Sequence, residues 1–280
     1  MIGMVRPVEN VLVGLSLNKT IGNVFTKIAP NNYQYPQPTI RLCERDGIRY
    51  SLDISDYMQY CIYFGVEIEP RETLYGLVKN GTTVIDVGTN IGETLLNFAK
   101  INPDGLNIGF EPVPYLFEAA SENIELNVFS NIGLENLALS DTVEELVFNI
   151  ANEHNSGGIY LSKPSKFSEA SCKVAVTTLD KYVSANNIDR ISLIKIDVEG
   201  FEIGVLRGAK ETITNFKPDI FVEVDNSFLT RQNGSAAELV GLLESYDYAI
   251  VHAETGEIIS SKDQFEGKHF DALCRHRSQK

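Results

Sequence analysis

The sequence predicts a doubly wound α/β fold: a mostly parallel, Rossmann-like sheet with helices on both faces, preceded by an N-terminal extension. Three observations predict it. TVIDVG and LNIGFE are short apolar runs closed by Gly or an acid, as strands buried on both faces would be. Each is followed by a stretch with helical spacing. The rhythm lapses across a polar section, 140–173, and resumes with ISLIKID and DIFVEV.

The elements follow in order. Ala29 to Pro38, APNNYQYPQP, is a loop rich in Pro and Asn. Thr39 to Leu52 is a hairpin with its turn at Asp46-Gly47. Tyr57 to Leu77 is aromatic-rich and then helical; Tyr57, Tyr60, Tyr63 and Phe64 can share one helical face, as core, lid or interface. Strands are expected from Thr83 to Gly88, Leu106 to Glu111 and Asn131 to Leu139, with helices at Ile91 to Lys100 and Pro112 to Asn127. Glu145 to Ile150 and a segment near Val174 are further strands. Ile191 to Asp197, Asp219 to Val224, Tyr248 to His252 and Phe270 to Cys274 complete the strands, and Phe201 to Phe216 and Ala236 to Ser245 the helices. Residues 1–75 are expected to form the extension, and 76–280 the main domain.

Composition narrows the function. Of 280 residues, 43% are hydrophobic and 22% charged, which suits a folded chain. A formal net charge of -14 repels nucleic acid and anionic membrane but leaves neutral acceptors open. Cys43, Cys61, Cys172 and Cys274 are widely spaced, so free thiols are expected rather than a disulfide framework or zinc site. No stretch approaches the roughly 18 apolar residues of a membrane span, and no signal peptide is recognised. A soluble, cytoplasmic protein is expected.

Ligands in such sheets bind at the carboxyl ends of the strands. The first cluster there is Asp86, Gly88, Thr89, Asn90, Ile91 and Gly92. Its glycines permit a sharp turn into a helix N-terminus. A dinucleotide loop wants G-x-G-x-x-G, and position 90 is Asn. Asp86 would repel a pyrophosphate and attract a cofactor with an ammonium and a sulfonium, which S-adenosylmethionine carries. Glu111, followed by Pro112, can accept from both ribose hydroxyls.

The second cluster is Lys195, Asp197 and Glu199, placed on one side of a strand by alternation. Asp197 can accept the proton of an attacking hydroxyl, and Lys195 can fix a carboxylate. A structural salt-bridge cluster is the alternative. Asp197, Glu223 and Asp225 also form an oxygen set suited to Mg2+. His154, beside Gly157-Gly158, can serve as a base in an acceptor loop or simply be solvated.

The stretches VIDVGTNIGET, GFEPVPYLFEAASENIELN, NLALSD, VAVTTLDKYV and ISLIKIDVEGFEIGVLRGAKETI resemble the FkbM-type methyltransferase family in order and spacing. RYSLDISD and IYFGVEIEPRET are similar to that family's lead-in. The likeness runs from Tyr50 to Asn226. It implies an S-adenosylmethionine-dependent O-methyltransferase acting on a hydroxyl of a sugar, glycan or other small natural product. It also implies that Asp86, Gly88, Asn90 and Gly92 line the methionine half of the cofactor, Glu111 the ribose, and Ala138 and Leu139 the adenine. Thr89 stands where the resemblance expects Ala. A nicotinamide oxidoreductase and a non-catalytic cofactor-binding module are the alternatives from other classes.

Overall fold

The computed structural model describes residues 31–35, 37–66, 71–150, 161–162 and 171–279. They group into two units, the first holding 31–66 together with Glu122–Val128, the second the remainder. In the first unit, β1 (Ile40–Arg45) and β2 (Ile48–Asp53) pair antiparallel. Asp46 and Gly47 between them both have positive φ, 49° and 75°, the twist that a two-residue Asp-Gly hairpin needs. α1 (Tyr57–Phe64) begins where the Asp56 side chain accepts from the Gln59 N–H and ends at Gly65 in the left-handed region. Tyr60, Tyr63 and Phe64 are buried, while Tyr57 is exposed.

The later elements are α2 (Arg71–Tyr75), β3 (Thr83–Val87), α3 (Glu93–Ile101), β4 (Leu106–Phe110), α4 (Pro114–Glu125), β5 (Ile132–Glu135), β6 (Ala138–Leu139), β7 (Glu144–Ile150), β8 (Leu161–Ser162) and β9 (Ser171–Thr177). Then come α5 (Leu179–Ala185), β10 (Ile191–Ile196), α6 (Glu202–Gly208), α7 (Lys210–Phe216), β11 (Asp219–Asp225), α8 (Asn226–Arg231), α9 (Ala236–Ser245), β12 (Tyr248–His252), β13 (Ile258–Ile259) and β14 (His269–His276). All strands from β3 onward belong to the second unit. No helix among the described residues is long and apolar enough to cross a membrane.

The main sheet runs β5-β4-β3-β10-β11-β14-β12-β13. The five strands from β5 to β11 are mutually parallel. β14 lies antiparallel between β11 and β12. This last insertion was not legible in the sequence, where Phe270 to Cys274 is simply the final strand. Alternation along the central strands divides their side chains between two cores. Ile85, Ile194, Val222 and Val224 join α6, α7 and α9 residues in one cluster. Val84, Leu193 and Phe221 join Leu74 and Phe98 in another. Helices therefore cover both faces, the doubly wound arrangement expected. From β3 the chain winds outward to β4 and β5, whereas β10 and β11 lie on its other side. The switch point is between β3 and β10, where such sheets bind ligands beyond their carboxyl ends.

Two expectations change. The strand expected from Asn131 to Leu139 is two strands. β5 ends at Glu135, and β6 pairs with β9 in a second sheet of order β6-β9-β7-β8. Asn136 makes the corner: its side-chain amide donates to the Glu111 and Pro112 carbonyls at 2.8 and 3.2 Å. The helix expected from Phe201 to Phe216 is interrupted at Ala209, with φ at -112°.

Candidate active site

β3 delivers the chain into a turn with no room for a side chain at its first position. Gly88 has φ +83, and a Cβ there would stand 1.8 Å from the Asp197 carbonyl oxygen. The Gly88 and Thr89 N–H groups both donate to the Phe110 carbonyl, at 3.0 and 3.1 Å. Asn90 takes φ 53, and Gly92 takes φ 89 against Ala120. Asn90 is one of the few residue types that adopt this conformation readily. Thr89 is buried, and its hydroxyl donates to the Asp86 carbonyl at 3.1 Å. Gly109 makes the room: a Cβ there would meet Thr89 Oγ1 at 2.5 Å. The departure from Ala at position 89 is thus matched across the sheet.

Two carboxylates underlie this cradle. Glu111, 4% exposed, accepts from the Asn90 N–H at 2.7 Å and the Val113 N–H at 2.9 Å, one on each oxygen. Burial nevertheless pushes its pKa up to about 7, the two N–H donors acting against the rise. Asp86 is wholly buried, and neither oxygen has a hydrogen-bond partner. Its counter-charge is Lys195, with Nζ 3.4 Å from Oδ1. Burial raises the Asp86 pKa, and Lys195 opposes the rise.

Lys195 joins the two clusters read from the sequence. Its ammonium also reaches Asp197 Oδ2 at 3.2 Å and donates to the Gly88 carbonyl at 3.0 Å. Asp86, Gly88, Lys195 and Asp197 are therefore one constellation across the switch point. Asp197 is its accessible member: its side chain is 35% exposed, against 9% for Lys195 and 0% for Asp86.

Beyond Asp197 the alternation expected for Lys195, Asp197 and Glu199 does not apply, because β10 ends at Ile196. Glu199 and Gly200 take φ 53 and 105 in a tight turn. Gly200 is required there, since a Cβ would sit 2.5 Å from the Phe228 carbonyl. Glu202, 2% exposed, closes the turn by accepting from the Val198 and Gly200 N–H groups at 3.3 and 3.0 Å. Burial, then the charges of Glu223, Asp197, Glu202 and Asp225, push the Glu199 pKa up to about 10.

The expectation of a metal held by Asp197, Glu223 and Asp225 is not met. Among the described residues no group of three or more His, Cys, Asp or Glu side chains is arranged for a metal. Protein cations occupy those carboxylates instead: Lys195 on Asp197, and His269 on the other two. His269 Nε2 lies 3.2 Å from Glu223 Oε1, and Nδ1 lies 3.1 Å from Asp225 Oδ2. With a carboxylate at each nitrogen the ring is held as imidazolium, and its pKa is pushed up to about 9, chiefly by the Glu223 hydrogen bond. Burial works against the Asp225 carboxylate, but hydrogen bonds from Ser227 and Phe228 hold its pKa below the ordinary value.

His269 and Glu202 were missed in the sequence. β14 brings His269 opposite Asp225, a register that no local pattern announces. Glu202 follows Gly200 by two residues, and its spacing to the turn N–H groups was the available signal. Ala138 is half-buried, and Leu139 belongs to the main core cluster. Pro112 is half-buried beside Glu111. His154 lies outside the described residues.

The family model described as "Methyltransferase FkbM domain" matches residues 86–250. "Methyltransferase 1" of Beauveria bassiana is 27% identical over 184 residues, covering 60% of this chain and 72% of that protein. "2-O-methyltransferase NoeI" of Sinorhizobium fredii is 25% identical over 190 residues, covering 63% and 77%. Among solved structures, M. jannaschii TYW2 in complex with AdoMet aligns over 85% of this chain and 85% of its own at 14% identity, with a TM-score of 0.40. The chain belongs to the FkbM methyltransferase family.

Proposed function

We propose that this FkbM-family chain is an S-adenosylmethionine-dependent O-methyltransferase whose acceptor is a hydroxyl of a sugar, glycan or other small natural product. One observation carries it. Asp197 is a partly exposed carboxylate held by buried Lys195, in a turn whose backbone carbonyl closes directly on Gly88 of the cradle. That brings a proton acceptor to the edge of a cofactor site.

The cradle fits the cofactor. Asp86 and Lys195 give it a buried charged floor, and half-buried Gly88 brings bare backbone to the turn that leads into α3. Each Glu111 oxygen has one N–H partner and a lone pair to spare for a ribose hydroxyl. When bound, S-adenosylmethionine supplies an electrophilic methyl group. We assign its methionine half to Asp86, Gly88, Thr89, Asn90, Ile91 and Gly92, its ribose to Glu111 and Pro112, and its adenine to the neighbourhood of Ala138 and Leu139.

Asp197 then orients the acceptor hydroxyl and takes its proton, and Lys195 fixes the direction of that carboxylate. Glu199, with its pKa near 10, keeps its proton at neutral pH and can donate to the acceptor. The net charge of -14 favours a neutral or cationic acceptor over nucleic acid. The relative named as a 2-O-methyltransferase supports oxygen as the nucleophile.

Calorimetric titration with S-adenosylhomocysteine, beside NAD, tests the cofactor. We expect the thioether to bind and NAD not to. Glu111→Gln should weaken S-adenosylhomocysteine about tenfold by removing charged acceptors. Asp197→Asn should keep that binding and lose about 100-fold in turnover on a methylated acceptor. A folded protein that binds NAD alone would overturn the proposal.

A further inference from the structure

β5 is bracketed by two asparagines whose side chains bond in the same way. At its start, Asn131 Nδ2 donates to the Ala99 and Asn102 carbonyls at 3.0 and 2.8 Å. At its end, Asn136 Nδ2 donates to the Glu111 and Pro112 carbonyls at 2.8 and 3.2 Å. The two amides grip different things. Asn131 holds the C-terminal end of α3, the far end of that helix from the cradle. Asn136 holds the backbone of Glu111, the buried acid of the cradle.

Glu111 stands one residue past β4, where the strand ladder runs out. Its N–H still donates to the Glu135 carbonyl at 3.0 Å. Its own carbonyl is taken by the Asn136 amide. Pro112 has no N–H to bond, and its carbonyl is taken by the same amide. Asn136 therefore holds both peptide units between Glu111 and Val113. The second of these carries the Val113 N–H that returns to Glu111 Oε1 at 2.9 Å. Tyr182 of α5 braces the same corner. Its hydroxyl donates to Glu135 Oε1 at 2.8 Å, and its ring lies edge-on to Phe110 at 4.8 Å. The residues just before Glu111 and just before Asn136 are thus tied together.

Asn136 itself is exposed, so water competes for its bonds and they contribute little to the fold. What they fix is the direction of one carboxylate. We infer that Asn136 is a positioning residue for the ribose: by holding the backbone from Glu111 to Val113 it aims the Glu111 oxygens at the sugar hydroxyls, and so sets the preference for a ribose over a deoxyribose ligand. The inference rests on the function proposed above, in which Glu111 takes the ribose. A hydrogen bond to a carboxylate is strong only when distance and angle are right. An acceptor held in advance loses no further freedom when the sugar arrives. With the amide removed, Glu111 keeps its Asn90 partner while its second oxygen loses a fixed direction.

The test is calorimetry on the whole protein with S-adenosylhomocysteine and its 2′-deoxy analogue. Wild type should bind the ribose form about tenfold more tightly. Asn136→Ala should narrow that preference to about threefold or less, weakening the ribose form and leaving the deoxy form as it was. Asn136→Asp keeps the shape and cannot donate. It should narrow the preference equally, and it covers the case of an alanine variant that fails to fold. Asn131→Ala removes the same pair of bonds at the other end of β5. It should lower the melting temperature and leave the preference intact. An undiminished preference in the Asn136 variants, or equal narrowing in Asn131→Ala, overturns the inference while the methyltransferase assignment stands. A wild-type ratio near one overturns it together with the assignment of the ribose to Glu111. Binding of neither ligand overturns the inference and the proposed function alike.

Discussion

The cradle after β3 and the turn after β10 are both lined with carboxylates, and Glu199 sets the two apart. In the cradle each buried acid is answered: Glu111 by two backbone N–H groups, Asp86 by the Lys195 ammonium. After β10, Glu202 is answered by two backbone N–H groups and Glu223 by His269, while among the described residues no cation pairs with Glu199, which faces Glu223, Asp197, Glu202 and Asp225. Buried polar groups are nearly always satisfied. The partnered acids therefore hold the backbone in shape, whereas burial and like charges hold Glu199 protonated instead. Lys195 stands between the two regions, with its ammonium touching both.

Removing Lys195 breaks the comparison most severely. Lys195→Met leaves Asp86 buried at 0% exposure with no counter-charge. Stripping one partner from a buried pair costs about 3–5 kcal/mol. Chemical denaturation should show a loss of that size, and Lys195→Arg should recover part of it. A loss below about 1 kcal/mol would mean that Asp86 is neutral in the native protein and that the two carboxylate sets are alike.

Gly88→Ala is the next largest. Its Cβ would collide with the Asp197 carbonyl at 1.8 Å, in a backbone region that side chains avoid. Prising the cradle from the β10 turn should cost about 2–4 kcal/mol and abolish S-adenosylhomocysteine binding. Gly81→Ala sharpens the comparison. Gly81 has φ +78 but nothing within 4 Å of its added Cβ, so only the backbone strain of about 1 kcal/mol should appear, with binding preserved.

The same contrast explains what the sequence revealed. The cradle was legible because its chemistry is local: Asp86 to Gly92 is one run, and strand periodicity places Glu111 at the neighbouring strand end. The continuous apolar runs of β3, β10 and β11 likewise announced a sheet buried on both faces. The acidic turn was legible only up to Asp197, because alternation fails once a strand ends. His269 was invisible because it reaches Glu223 and Asp225 through β14, an antiparallel insertion set by tertiary packing. The metal expectation failed for that reason: the cation that answers Glu223 and Asp225 is an imidazolium from a distant strand. Asn136 shows the same limit, since a side-chain amide bonded to two carbonyls ended β5 where hydrophobic pattern continued.

The smallest expected effect is a pH dependence, and its sign separates the two regions. Glu199 has an ordinary value of 4.5 and a folded value of about 10. Between those values the folded chain keeps a proton that the unfolded chain gives up, so stability falls as pH rises. The contribution is complete below about 4.5 and is lost as pH passes through about 10. Glu202 and Glu223, raised to about 7, act in the same direction over a lower window. His269, raised from 6.5 to about 9, also adds stability that is lost on the alkaline side. Glu199→Gln cannot titrate. It should match wild type near pH 4.5 and be more stable at pH 9 by about 1 kcal/mol, a figure discounted because the group is partly solvated. Melting temperatures across that range check it. The decline of wild type between pH 4.5 and 7 should persist in the variant, because Glu202 and Glu223 still titrate there. An unchanged alkaline decline would mean that Glu199 has a partner after all, and the two carboxylate sets would then no longer differ.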